Sequence, residues 1–144
     1  MIEQDTIKLL RECDAGGKMG TSSIEDVLDN VKSEMLEKLL TECKNEHKKL
    51  DKEIQQLLDK YQDDGKEPAV IAKGMSWMKT NMKLAKEESD ATIADLMTDG
   101  CNMGVKSLNK YLNKYKGADE VSYVITKRLI NLEEKLAVDI REFL

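Results

Sequence analysis

The sequence contains few of the residues that form catalytic centres, turns and disulfide frameworks. Its 144 residues include one histidine, one proline and three cysteines, and only 4% of them are aromatic. One imidazole cannot supply the two-histidine metal sites that many helical bundles carry. A single proline leaves long segments free to be helical, and three widely spaced cysteines do not predict a disulfide framework.

Basic charge and long apolar runs are also lacking. The net charge is −5 and the isoelectric point is near 5.1, so the chain is poorly suited to neutralising phosphates and we expect no nucleic-acid partner. No apolar run approaches the roughly 18 residues of a membrane span. Acidic residues within 1–5 argue against a signal peptide. With no predicted disulfides, these features predict a cytoplasmic protein.

The residues that are abundant favour a strongly solvated helical domain. Apolar residues make up 40% of the chain and charged residues 35%. The clearest pattern is an apolar seam with heptad spacing, which predicts a helix over 33–61 that packs lengthwise against other helices. The only histidine lies on this seam, whose members are Leu36, Leu40, Cys43, His47, Leu50, Ile54, Leu57 and Tyr61.

Periodicity and turn signals predict a single domain over 1–144, with long helices at 2–29, 33–61, 90–115 and 119–143. A shorter amphipathic helix is predicted at 69–84, in the connection between the second and third long helices. Short links make the first and second, and the third and fourth, antiparallel neighbours. The long middle connection lets the chain return along the bundle, which predicts an up-down-down-up order.

The first helix contains contradictory signals. Glycines at 16, 17 and 20 indicate a loop, and Ser22-x-x-Glu25 has the pattern of a capping box that opens a new helix. Against this, apolar positions recur every seven residues from Leu10 to Val31 with Gly17 among them, which favours a continuous and kinked helix. We favour the continuous helix, and the loop at 14–22 remains the alternative.

Several segments resemble an uncharacterised bacterial family of ferritin-like four-helix-bundle proteins. They are 7–17 (IKLLRECDAGG), 74–79 (GMSWMK), 90–93 (DATI), the pair Gly100-Cys101 and Tyr111. The resemblance implies an all-α ferritin-like bundle, and it implies that the middle of the bundle is where a metal site would lie.

The chain departs from the ligand pattern that this resemblance implies. Ferritin-like di-metal enzymes use carboxylates from four helices, two of them in Glu-x-x-His pairs. Here Asn45 follows Glu42 at that spacing and Leu136 follows Glu133, while Cys101 stands where the resembling family has a carboxylate. The usual di-iron ligand set is therefore lacking.

A different set of metal ligands is conceivable from the spacing alone. Cys43 and His47 are four residues apart on one helical face. In the predicted topology Cys13 lies at a similar height to His47 across the first turn, and Cys101 lies at a similar height to Cys43. Thiolates and one imidazole would suit Zn²⁺ or Cu(I). The simpler interpretation, which we favour, is that the cysteines are small core residues and His47 is hydrogen-bonded to a neighbouring carboxylate or carbonyl.

Two other groups have similarly simple interpretations. Met75, Met78 and Met82, with Trp77, predict the apolar underside of the crossover helix, although a homodimer contact or another protein partner would also use such a surface. Acidic pairs such as Glu133-Glu134 are expected to face solvent.

The sequence thus favours a non-catalytic structural or protein-interaction bundle, with a homodimer or an unknown protein as its partner. The alternative is a metal-binding bundle that holds Zn²⁺ or Cu(I) through Cys13, Cys43, His47 and Cys101. A third interpretation is an atypical di-iron carboxylate enzyme built on Asp14, Glu42, Glu46 and Glu133.

Overall fold

The computed structural model describes residues 2–66, 77–85, 87 and 89–144, and these ranges contain helices and no strands. The all-helical prediction is confirmed. The α-helices within these ranges are α1 (Ile2–Leu28), α2 (Glu34–Lys60), α3 (Trp77–Leu84), α4 (Asp90–Lys114) and α5 (Glu120–Asp139), and a 3₁₀ helix, Ile140–Phe143, follows. The first part of the predicted crossover helix, 69–76, lies outside the described residues, and Met75 belongs to this part.

Helix α1 is continuous through its glycines, so the loop predicted as an alternative is absent. Ser22 and Glu25 lie inside the helix and do not open a new one. Packing explains why glycine is needed at one of these positions. A Cβ atom on Gly20 would lie 2.6 Å from Nε2 of His47, whereas a Cβ atom on Gly16 would meet Leu129 and Leu108 in ordinary contact, at 3.7 and 3.8 Å. Glycine in a helix costs about 1 kcal/mol relative to alanine, and at Gly20 it leaves room for the imidazole.

Side-chain caps fix where the other long helices begin. Ser33 accepts a hydrogen bond from the backbone of Leu36 at α2, and Ser89 and Asp119 do the same at the starts of α4 and α5. Each cap satisfies a backbone N–H that has no partner within the helix. Asp90 has a different role, because its carboxylate accepts the backbone N–H groups of Lys32 and Ser33 at 2.8 and 2.9 Å. The α1–α2 turn is thereby attached to the start of α4.

Hydrogen bonds between helices show how the long helices run. At the start of α1, Asp5 and Thr6 accept the backbone N–H groups of Gly117 and Asp119, each at 2.8 Å, so this end of α1 lies beside the α4–α5 turn. Arg128 of α5 donates two hydrogen bonds to Glu53 of α2. Helices α1 and α4 are therefore antiparallel neighbours, and α2 and α5 pack side by side.

The core consists of two apolar clusters along the long helices. One contains Ile24, Val27, Leu36, Leu40, Cys43, Met78, Met82, Ile93, Ala94, Met97, Cys101, Leu136 and Ile140. The other contains Leu9, Leu10, Cys13, Leu50, Ile54, Leu58, Leu108, Leu112, Ile125, Leu129 and Ile130. On α2 the boundary between the clusters falls at His47, and on α5 it falls at Glu133. A polar layer therefore separates the two clusters midway along the helices.

The predicted seam of α2 is correct from Leu36 to Ile54 and wrong at its end. Leu58 is fully buried, whereas Leu57 and Tyr61 are only partly buried. The reason is the helical repeat, because a straight α-helix drifts by about 20° per heptad. After three heptads the position that faces the core has moved from residue 57 to residue 58.

Two further apolar side chains lie next to core positions and are not fully buried. Val121 is 57% exposed because α5 turns Ser122 inward, where its hydroxyl donates to the carbonyl of Asp119. Tyr111 is partly buried, and Leu112 takes the core position of that turn. Across the described ranges, no helix combines the length and apolar character needed to cross a membrane.

Candidate functional site

The polar layer between the two clusters is centred on His47 and Glu133. His47 is 1% exposed and Glu133 is 8% exposed. The Nδ1 atom of His47 lies 2.9 Å from the carbonyl oxygen of Cys43, and its Nε2 atom lies 3.0 Å from Oε1 of Glu133. The prediction of a core histidine bonded to a carbonyl or carboxylate is confirmed. The expectation that Glu133 faces solvent is wrong, because this side chain is the partner of His47.

The surroundings of His47 favour its protonated form. Burial alone lowers the pKa of the imidazole, but hydrogen bonds to the side chains of Cys43 and Glu133, together with the negative charge of Glu133, outweigh burial and raise the pKa to about 10. At neutral pH both ring nitrogens carry a proton, and each proton is donated to a protein acceptor. His47 and Glu133 thus form a buried ion pair that connects α2 to α5.

Two buried thiols border this ion pair. The Sγ atom of Cys43 lies 3.5 Å from Nδ1 of His47. Cys101 on α4 is 1% exposed, and burial together with the charge and hydrogen bond of Glu133 raises the pKa of its thiol far above the ordinary value. Cys101 is therefore a neutral thiol at neutral pH, which is a poor nucleophile and a poor metal ligand.

The predicted four-residue metal set is not brought together. Cys43 contacts His47, and His47 and Cys101 border Glu133. Cys13 belongs to the other apolar cluster, where its Sγ atom lies 3.0 Å from the hydroxyl of Thr126. Burial raises the pKa of the Cys13 thiol to about 12. Within the part of the chain that the structure describes, no group of three or more His, Cys, Asp or Glu side chains is arranged to hold a metal ion.

The predicted carboxylate set is also dispersed. Glu42 and Glu46 point to solvent from α2. Asp14 is fully buried but serves the loop after α2, because it accepts the backbone N–H of Lys66 at 2.9 Å. Lys18 and Gln55 donate to the same carboxylate. Of the four carboxylates, only Glu133 belongs to the mid-bundle layer, so the di-iron interpretation has no assembled ligand set.

Helices α1 and α4 meet the ion pair through glycine. A Cβ atom on Gly20 would lie 2.6 Å from Nε2 of His47 and 3.3 Å from Oε1 of Glu133. A Cβ atom on Gly104 would lie 3.6 Å from the Cδ atom of Glu133. The space for the imidazole and the carboxylate therefore depends on the missing side chain at Gly20. Neither glycine was part of the predicted site.

The ion pair borders a cavity of about 430 Å³ between α1 and α4. Its lining includes Glu133 and Cys101 as well as the glycines at 16, 20, 100 and 104. Methionines from α1, α3 and α4 supply most of the bulky apolar surface. The carboxylate of Glu133 thus contacts His47 on one side and faces this cavity on the other.

Comparisons with protein-family models, with curated proteins and with solved structures give no match. The resemblance to ferritin-like proteins therefore stays an expectation from the sequence.

The signal that could have identified Glu133 is its position on α5. It lies four residues after Leu129 and three before Leu136, both of which are buried. An acidic residue on the apolar face of a helix predicts a buried carboxylate that needs a polar partner, but its position does not identify that partner.

Proposed function

We propose that this chain is a non-catalytic four-helix-bundle protein with ferritin-like, up-down-down-up topology and a structural or protein-interaction role. In this proposal a histidine–glutamate ion pair occupies the middle of the bundle, where ferritin-like enzymes hold metal ions. Three free, buried cysteines suit a reducing compartment such as the cytoplasm.

The support for the topology is the contacts at the helix ends. The start of α1 lies beside the end of α4, through Asp5 and Gly117. The short turns after α1 and α4 reverse the chain. If α1 runs up, α2 and α4 run down and α5 runs up. The connection from the end of α2 to the start of α4, residues 61–89, has 29 residues and is long enough for the required return along the bundle.

The observation that carries the non-catalytic proposal is the complete use of the imidazole. Both ring nitrogens donate to protein acceptors, so His47 has no lone pair for a metal ion and no free position for a substrate proton. A general base must come within hydrogen-bond reach of its substrate, and His47 is 1% exposed. The cysteines that could act as nucleophiles are buried, and burial keeps the thiols of Cys13 and Cys101 protonated.

The test is metal content together with thermal stability. Protein purified under reducing conditions is analysed for metals, and its melting temperature is measured with a chelator and after incubation with Zn²⁺, Cu(I) or Fe²⁺. We expect metal far below one ion per chain and a melting temperature that none of these additions raises. One bound ion per chain, together with a melting temperature that falls on chelation, would overturn the proposal. A ligand that binds only the folded state must stabilise that state.

A second candidate function is thiolate metal binding, which the 3.5 Å approach of Cys43 Sγ to His47 Nδ1 favours. This would require His47 to lose a proton and give up a hydrogen bond. The variant Cys43→Ser separates the two proposals, with Cys13→Ser as the matched control in the other cluster. If metals stabilise the protein, and Cys43→Ser alone abolishes this effect, the metal-binding function replaces the non-catalytic one.

A further inference from the structure

Helix α5 presents a small apolar surface beside a groove. Val121 and Val124 are 57% and 48% exposed and lie one turn apart. They line a groove between α2 and α5 with a volume of about 470 Å³, together with Leu57 and Ile125. The other large apolar side chains with high exposure, such as Met35 and Leu84, do not line this groove.

The charges beside these valines form a self-complementary pattern. Glu120 lies four residues before Val124, and Arg128 lies four residues after it. Both charged residues line the same groove. If a second α5 helix packs antiparallel with a two-fold axis at Val124, each residue before the axis faces its counterpart after the axis. Glu120 then faces Arg128 of the second copy, and Val124 faces its own equivalent.

We propose that this α5 face (Glu120, Val121, Val124 and Arg128) is the contact surface of an antiparallel homodimer. Such an interface is isologous, because both copies use the same residues. The pair of Val124 side chains removes apolar surface from water at the axis, and each Glu120–Arg128 pair fixes the register. The inference deepens the proposed interaction role by naming a second copy of this chain as the partner.

Arg128 is already oriented for this contact. Its guanidinium donates to both carboxylate oxygens of Glu53 at 3.0 and 2.8 Å, although it remains about half exposed. A guanidinium has five N–H donors, so it can bind Glu53 and still donate to a second carboxylate. The side chain therefore loses little freedom when Glu120 of the second copy approaches.

The crossover helix, which the sequence indicated as a dimer contact, is less suitable. Met78 and Met82 on α3 are 1% and 5% exposed because they belong to the core. Those two methionines therefore have almost no surface left for a partner, whereas the valines of α5 do.

Cross-linking tests the register. In Val124→Cys the two introduced thiols meet at the axis, and oxidation by copper–phenanthroline, with oxygen accepting the electrons, joins them in a disulfide. Val138→Cys is the matched control, since residue 138 is 51% exposed on the same helix. In the proposed register the two copies of residue 138 are separated by 28 residue rises, or about 42 Å. We expect covalent dimer from Val124→Cys and background from Val138→Cys and the unmodified chain.

Sedimentation tests the surface without cross-linking. We expect the unmodified chain to form a reversible dimer, and Val124→Asp to weaken its association at least about tenfold, because two carboxylates would meet at the axis. Met35→Asp adds the same charge to a residue that is 68% exposed on α2, and it should leave the dimer intact.

Three outcomes would overturn the dimer proposal. They are an unmodified chain that stays monomeric at every concentration, a dimer that persists in Val124→Asp, and equal cross-linking at positions 124 and 138. None of these outcomes affects the non-catalytic proposal, which the metal measurements test separately.

Discussion

At the scale of single residues, the unusual feature of the molecule is a charged histidine inside an apolar core. Burial of an isolated imidazolium is costly, and a buried charge is tolerated only when it is paired and hydrogen-bonded. His47 meets both conditions through Glu133 and the carbonyl of Cys43. Because of this arrangement, the free energy of unfolding depends on the charge state of His47.

The pH dependence of stability follows from the raised pKa of His47. In the unfolded chain the imidazole has its ordinary pKa of 6.5, whereas in the folded protein the value is about 10. The stabilisation is fully present below pH 6.5 and is lost as the pH rises through about 10. Within that window the folded state holds the extra proton, so the free energy of unfolding falls by up to roughly 1.4 kcal/mol per pH unit.

Urea unfolding between pH 6.5 and about 7.5 measures this slope, because the cysteines of the unfolded chain begin to ionise above that range. The variant His47→Gln is the control, since it keeps a polar side chain and lacks the titrating group. We expect a falling free energy of unfolding in the unmodified chain and a flat profile in His47→Gln. Two identical profiles would show that His47 does not hold an extra proton in the folded state.

At the scale of secondary-structure elements, α1 shows why local signals are insufficient. Three glycines within five residues indicate a loop, yet the helix continues from Ile2 to Leu28. Contacts of α1 with the other long helices decide the outcome. At Gly20 the missing side chain leaves room for the His47 ring, whereas a Cβ atom at Gly16 would fit in ordinary contact with two leucines. The seven-residue periodicity carried this information, and the local composition did not.

The glycines of α1 and α4 give a matched pair of variants. In Gly20→Ala the new methyl group would lie 2.6 Å from Nε2 of His47. The ring must shift, and we expect a loss of about 1–3 kcal/mol in the free energy of unfolding. A Cβ atom on Gly100 meets nothing within 4 Å, so Gly100→Ala should gain about 1 kcal/mol from helix propensity.

Chemical denaturation of the two alanine variants measures these opposite effects. A stabilised Gly20→Ala would mean that α1 does not lie against the ion pair. If Gly100→Ala were as destabilised as Gly20→Ala, the loss would be general to glycine replacement and not specific to the contact with His47.

Asp14 holds the loop after α2, and the sequence did not predict this role. Gly65 has a φ angle of +85°, a conformation that favours glycine, and a Cβ atom there would lie 2.3 Å from Oδ2 of Asp14. Glycine at this position thus permits both the turn and the approach to Asp14, which accepts the backbone N–H of Lys66. In the sequence Asp14 lies near three glycines, and this context did not predict that its carboxylate holds the loop.

At the scale of the whole molecule, two apolar clusters are joined through a polar layer. The long helices and the burial of His47 could be predicted, because a heptad seam specifies both. The partner of His47 could not, because Glu133 is one of 28 acidic residues and lies 86 positions away along the chain. Pairing at that separation depends on the relative heights of the helices.

The predicted position of Cys13 along the bundle shows how strongly an estimate of relative helix heights depends on the turn between two helices. Matching residues symmetrically about the first turn placed Cys13 beside His47, whereas the residue on α1 that contacts His47 is Gly20. The difference is 20 − 13 = 7 residues, or about 10 Å along a helix. Residues 29–33 separate the two helices, and the closeness of Gly20 to His47 shows that α2 starts beyond the end of α1, so the symmetric estimate fails. This shift removes Cys13 from the predicted metal set.

The most direct test of the account is the protonation state of the imidazole, measured by nitrogen-15 NMR. With one histidine in the chain, the ring signals need no assignment by mutation. We expect both ring nitrogens to show the shifts of an imidazolium at neutral pH and to titrate near a pKa of 10, and we expect Glu133→Gln to lower that pKa. A neutral ring that titrates near 6.5, or a ring nitrogen bound to a metal, would contradict the buried ion pair at the centre of this molecule.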